Sequence, residues 1–399
     1  MHFYSHIKMI LLIYKLMLPN DILIKVFINI NNSFTLMRVS RLFNIVIHNN
    51  KNYIAYGILQ RLGFRPMITN SYRIYKNYIS MYDINNINYN LIENIKYGHV
   101  EVVELLLTNP DIDPSAEDNK AIKTASKKGY IEIVKLLLAD PRVDPSVDNN
   151  YTINYTAFYG HTDVVKLLLE DPRVDPSADN NYAIKWTSEQ GHSEIVKLLL
   201  ADSRVDPSID NNIVIKWASR SGHVDVVRLL LADPRVDPSA SSNYTINYAA
   251  FNGHTDVVEL LLADPRINPS DNDNFAIVWA SANGNTETVK LLLEHQGINP
   301  AADNNSAIGS ASFYGHANTV QLLLADPRVD PSANNNYSIR WASENGHTEV
   351  VKILLADPRV DPSVICKYDI KIIFKKRHTE IIKLLLADSR VDIPSPVII

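Results

Sequence analysis

The sequence predicts an all-α fold: a solenoid of about ten helix–turn–helix repeats of 31 residues, preceded by a small helical N-terminal region. Three observations predict it. A glycine returns every 31 residues, at Gly98, Gly129, Gly160, Gly191, Gly222, Gly253, Gly284, Gly315 and Gly346, and the register reaches Arg377 as a tenth unit. Seven residues before each of these positions stands a branched aliphatic: Leu91, Ile122, Ile153, Ile184, Ile215, Ile246, Ile277, Ile308, Ile339 and Ile370. Polar, turn-rich segments such as Asp171–Asn181, DPRVDPSADNN, separate the periodic stretches. A fixed period of this size signals stacked modules rather than one globular core. Stacks of this kind present a long surface to a partner.

Each element of one repeat, 179–209, has a local reason. Asn180 and Asn181 offer N-cap chemistry to a first helix. Ile184, Thr187 and Ser188 form its inward side. Gly191 stops it, because glycine accepts the left-handed conformation needed at C′. Ser193 is placed to cap a second helix, with Glu194 in its first turn. Ile195, Val196, Leu198, Leu199 and Leu200 give that helix a wide apolar face. In most repeats an Asp-Pro pair such as Asp171-Pro172 follows, and the residue before proline leaves the helical region. Neither helix can bury its apolar side alone, so neighbouring repeats must stack.

Composition narrows the function classes. The chain has 399 residues, 46% of them hydrophobic, and a net charge of −5. A general nucleic-acid binder is usually basic, so nucleic acid is not expected as a partner. The one cysteine, Cys366, can form neither an internal disulfide nor a cysteine zinc cluster, which suits a reducing, intracellular setting. The most apolar stretch, Ile7 to Leu18, is interrupted by Lys8 and Lys15. It is shorter than the roughly 20 apolar residues a spanning helix needs, and it lacks a signal-peptide cleavage site, so no membrane span is expected. No phosphate loop, nucleophile elbow or metal-spaced Cys/His set is present, and neither catalysis nor a cofactor is expected.

The repeats resemble the ankyrin family. The resemblance rests on the small pair before the glycine (Ala249-Ala250, Ala342-Ser343), the Gly-His step (Gly160-His161, Gly222-His223) and the VVKLLL run at Val164–Leu169. It covers 86–395 as ten units: 86–116, 117–147, 148–178, 179–209, 210–240, 241–271, 272–302, 303–333, 334–364 and 365–395. The period is shorter than the usual 33 of that family. Its Thr-Pro-Leu-His start is replaced by Tyr-Ala-Ile-Lys at Tyr182–Lys185 and Tyr-Thr-Ile-Asn at Tyr151–Asn154. The resemblance implies a non-enzymatic, monomeric scaffold that binds a protein on the concave face lined by its first helices.

Residues 1–85 lack the period. They divide into an apolar segment at 1–16, a segment at 17–50 and a Tyr-rich helical connector at 51–85. The middle segment resembles an F-box through Leu18-Pro19, Asp21-Ile22-Leu23, Val26-Phe27, Leu36, Val39 and Phe43. That resemblance implies binding to a Skp-type adaptor of a cullin ubiquitin ligase through Leu18, Pro19, Leu23, Phe27 and Leu36. A cap shielding the first repeat explains the same residues. Near-identical ankyrin-like units, an F-box-like start and Asn/Ile-rich coding together resemble the ankyrin paralogues of giant DNA viruses of amoebae. This implies a host protein as target and the host cytoplasm as setting.

One register carries the candidate binding residues. Five residues before the glycine stand Tyr155, Trp186, Trp217, Tyr248, Trp279 and Trp341. Where that position is Trp, the residue three later is Glu189, Arg220, Ala282 or Glu344; where it is Tyr or Ser, that residue is Phe158, Phe251 or Phe313. Positions i and i+3 share a helix face, so a bulky ring is exchanged between two places on one surface. Rings there serve either recognition or packing between repeats. The residue before the ring varies, and Lys185, Lys216 and Arg340 are expected to be exposed and to set specificity. Eight of twelve histidines follow the glycine register, and a local role at the interhelix turn is expected. The repeated Asp-Pro-Arg-Val-Asp loops read as a solvated edge. Lys371, Lys375, Lys376 and Arg377 read as the polar face of a terminal cap.

Overall fold

The structure, a computed structural model, describes residues 84–365 and 367–391. The segments expected at 1–16 and 17–50, with Leu18, Pro19, Leu23, Phe27 and Leu36, and nearly all of the connector lie outside the described residues. The chain divides into two compact parts, 1–113 and 114–399. In the first, the described residues form one helix pair, Ile84–Lys96 and Val100–Leu107. It closes on Leu91, Ile92, Ile95, Val102, Val103 and Leu106. Asn88 Oδ1 accepts the N–H of Asp113 at 2.9 Å, which fastens the outgoing chain to the first helix.

Among its described residues the second part is a two-layer stack of nine helix pairs. Its first helices are Ala116–Lys127, Val147–Phe158, Ala178–Gln190, Ile209–Arg220, Ala240–Asn252, Asp271–Ala282, Ala302–Tyr314, Ala333–Asn345 and Lys367–Lys375. The paired second helices are Ile131–Leu138, Thr162–Leu169, Ser193–Ala201, Val224–Ala232, Thr255–Leu262, Thr286–Glu294, Ala317–Ala325, Thr348–Ala356 and Thr379–Ala387. First helix packs on first helix and second on second along the stack. A 3-10 turn at Pro362–Val364 precedes the last pair. No strand occurs among the described residues.

The aliphatic seam is the core. Ile122, Ile153, Ile184, Ile215, Ile246, Ile277, Ile308 and Ile339 are fully buried. Those from Ile184 to Ile339 share one continuous cluster with second-helix residues such as Val226, Val227 and Leu230. Burying one such side chain contributes about 1.5–3 kcal/mol. Gly191 takes φ 82° and closes its helix as expected. It is also held small from outside: a Cβ there would lie 2.5 Å from His223 Nδ1 of the following repeat.

The entry to each first helix differs from the expectation. Asp179, Asn180 and Asn181 do not cap; all three adopt left-handed φ between 54° and 58°. The same three-residue left-handed turn recurs in eight repeats, as at Asp210–Asn212 and Ser241–Asn243. Asn, Asp and Ser supply it everywhere but at Glu117, and the short polar side chains of Asn and Asp tolerate that region better than most. Asn181 Oδ1 accepts the N–H of Asp206 at 2.8 Å, so the residue expected as a cap instead closes its repeat onto the outgoing loop. The second helix is not capped by Ser193 either. Ser193 is its first residue, and His192 occupies the N-cap without a side-chain capping bond.

The histidines do more than serve their own turn. His161 Nε2 pairs with Lys127 O at 2.9 Å, His192 with Phe158 O at 3.1 Å and His223 with Glu189 O at 2.7 Å. His254, His316 and His347 continue the series. Each reaches the carbonyl 34 residues earlier, at the end of the preceding first helix, and so satisfies an orphan carbonyl. Asn285 replaces histidine once and keeps the link through Nδ2 to Phe251 O at 2.8 Å.

The Asp-Pro-Arg-Val-Asp loops are likewise more than a solvated edge. Arg235 Nε and Nη2 donate to Asp233, and its Nη1 and Nη2 reach back to Val205 O and Leu200 O at 2.9 Å. Arg266, Arg328, Arg359 and Arg390 repeat the arrangement. The arginine holds the Asp233 carboxyl below its usual range, first through the side-chain hydrogen bond and against the opposing effect of burial.

Candidate protein-interaction face

The first helices place their rings on one face of the stack. Tyr155, Trp186, Trp217, Tyr248, Trp279 and Trp341 are all half-buried, so each offers part of a ring to solvent while resting on its neighbours. Trp186 and Trp217, in consecutive repeats, lie 5.2 Å apart between ring centroids. Tyr182 and Tyr155 stand 5.8 Å apart with their planes nearly aligned. Tyr248 and Trp279 are 6.1 Å apart.

The exchange of bulky rings has a geometric cause. Phe158 meets Trp186 edge-to-face at 6.1 Å, Phe251 meets Trp279 at 5.8 Å and Phe313 meets Trp341 at 4.9 Å. Each phenylalanine thus packs against the tryptophan of the following repeat, in an edge-to-face geometry that aromatic pairs prefer over a face-to-face sandwich. The spacing of 28 residues from Phe to Trp was the available sequence signal. Exposed rings extend the face: Phe251 is 44% exposed, Tyr159 42% and Tyr314 57%.

The residues preceding the rings are not the exposed set that their variability suggests. Lys216 is 6% exposed, Asn154 2% and Asn247 1%, while Lys185 and Arg340 are half-buried. Where the residue is a cation, it is turned onto a group of the next repeat. Lys123 pairs with Asp148, Lys185 with Asp210 at 3.1 Å and Arg340 with Asp369 at 3.3 Å. These positions tie one first helix to the next.

The face carries perturbed groups. Burial, and then a hydrogen bond with Tyr155, push the Tyr182 hydroxyl up to about 12. Burial also raises Tyr151. Lys127 Nζ lies 5.2 Å from the Tyr159 ring centroid, and its bond with Tyr159 holds the ammonium above its ordinary value. Burial lowers Lys216. The basic cluster expected as a terminal cap is exposed, with Lys376 3.4 Å from Glu344. Among the described residues no helix is long and apolar enough to cross a membrane. None of their His, Cys, Asp and Glu side chains cluster as metal ligands would.

The arrangement offers an aromatic, hydrogen-bonding surface built on rigid helices. No curated protein matches the chain. Residues 153–242 and 246–335 each match the family model for ankyrin repeats (3 copies). Two adjoining matches of that kind, on helix pairs that pack pair upon pair, identify the repeats within 153–335 as ankyrin repeats, which are generally protein–protein interaction modules.

Proposed function

We propose that the chain is a non-enzymatic scaffold that grips a protein partner along the aromatic face of its first helices. The supporting observation is the row of half-buried rings from Tyr155 to Trp341, interleaved with Lys185, Lys216 and Arg340. Aromatic and arginine side chains dominate the energetics of protein interfaces. The test pairs affinity capture with thermal melting for the wild type and for Trp186→Ala and Trp217→Ala. Capture of the same partners at undiminished yield by folded variants overturns the reading.

A second reading rests on the sequence of 18–43. In it the F-box-like segment recruits a Skp-type adaptor through Leu18, Pro19, Leu23, Phe27 and Leu36, and the repeats choose the target. The resemblance to giant-virus paralogues makes that target a host protein met in the host cytoplasm. Full-length chain carrying Pro19→Ala and Leu23→Ala should lose the adaptor and keep the target. Recovery of no adaptor by the wild type eliminates this reading alone.

A further inference from the structure

We propose that the stack holds a docking position for a partner's carboxylate, formed by Lys216, Asn211 and Ser241 beside Trp217. It rests on the scaffold reading above and names the chemistry of the partner: an acidic peptide segment.

The argument is an internal comparison. One repeat earlier, the Asp210 carboxylate accepts from Lys185 Nζ at 3.1 Å and from Asn180 Nδ2 at 2.9 Å. In the following repeat the equivalent donors are present: Lys216 Nζ and Asn211 Nδ2 converge at 2.7 Å and 2.6 Å. What they meet is the neutral hydroxyl of Ser241. The Lys–Asn clamp is that of a carboxylate site, and the carboxylate is missing.

Lys216 is 6% exposed and forms no ion pair among the described residues; the Asp237 carboxylate acts on it only at longer range, without offsetting its burial. Its other bond goes to the Asn211 carbonyl at 2.6 Å. A buried ammonium hydrogen-bonded only to neutral groups stays costly until an opposite charge comes into contact. Because the Ser241 oxygen accepts twice, its own O–H remains to donate, and the ammonium behind it strengthens that donor. Ser241 is partly exposed at the left-handed turn. Arg220, exposed one helical turn beyond Lys216, adds a second cation, and Trp217 lies between them in sequence. The next first helix, Ala240–Asn252, carries no charged residue to compete. The chain as a whole is at −5, so an acidic segment gains no general attraction and discrimination falls to this position.

The probe is a fluorescently labelled Glu-rich dodecapeptide, with its Gln counterpart, titrated by anisotropy against the full-length chain at low salt. The Glu peptide should bind about tenfold or more tighter than the Gln peptide, as expected for a charge-assisted contact. Ser241→Asp supplies the missing carboxylate internally and should weaken the Glu peptide about tenfold while leaving the fold intact; Lys216→Met should weaken it as much. Lys197→Met, the same charge change on an exposed second-helix position, should leave affinity within about twofold. Equal binding of the two peptides overturns the proposal, as does undiminished binding by Ser241→Asp or an equal loss in Lys197→Met. The scaffold reading fails separately, on capture by the tryptophan variants, so either result can stand without the other.

Discussion

The loop-and-turn edge of the stack and its first-helix face are built from the same helices, yet they change at different rates from repeat to repeat. Along the edge the same side chains return: Arg235, Arg266, Arg328, Arg359 and Arg390 reach the same pair of carbonyls one repeat back. The histidines after the glycine do the same, and Asn285 preserves the bond when histidine is lost. On the first-helix face, ring, hydroxyl and charge alternate, and several of the changes are matched by a partner in the next repeat. Trp341 answers Phe313; Asp210 answers Lys185. The difference teaches that uniform bonds hold the repeats together, while local complementarity lets the other surface vary without loosening it.

Substitutions can break this division, beginning with the largest effect. Ile246→Ala removes a fully buried seam residue and should cost about 2–5 kcal/mol in urea unfolding, whichever face is later assayed. Gly191→Val forces a branched residue into φ 82° and drives its Cβ onto the His223 ring, so a loss of about 2 kcal/mol or more is expected. Trp217→Ala should cost less, about 1–2 kcal/mol, because the ring is half-buried, yet it should impair partner capture most. His223→Ala breaks one bond between repeats and should cost about 1 kcal/mol with partner capture unchanged. Equal losses of capture in His223→Ala and Trp217→Ala would erase the distinction between edge and face.

The smallest effect is a pH dependence. The Asp233 carboxyl is held below its usual range by Arg235. Its stabilisation is therefore complete above the ordinary carboxylate value of about 3.9 and is lost as pH falls through the lowered folded value. Asp233→Asn should be less stable than wild type by at most about 1 kcal/mol near pH 7, with the gap closing toward pH 2. A gap that stays constant from pH 7 to pH 2 in thermal melts would show that the charge on Asp233 contributes nothing.

Much of the architecture was legible in sequence, and for local reasons. The glycine period, the branched seam from Leu91 to Ile370 and the closure at Gly191 each depend on chemistry within one repeat. What escaped depends on neighbours 25 to 35 residues away. Asn181 before an apolar run reads equally as a helix cap or a left-handed turn, and only the bond to Asp206 decides. The position of Lys216 varies among repeats, which suggested exposure, but its side chain is buried against the Asn211 carbonyl and Ser241. The Phe–Trp pairing was visible as a 28-residue spacing only if each repeat was compared with the one after it. The candidate face was legible as a register of rings; its hydrogen-bonded floor was not.

The histidine and arginine bonds all point the same way: the donor sits in the later repeat and the acceptor in the earlier one. A chain made from its N-terminus always has the acceptors in place before their donors are synthesised. Each newly finished helix pair can therefore fasten onto completed structure as it leaves the ribosome, and assembly acquires a direction that the near-identity of the repeats would otherwise deny it.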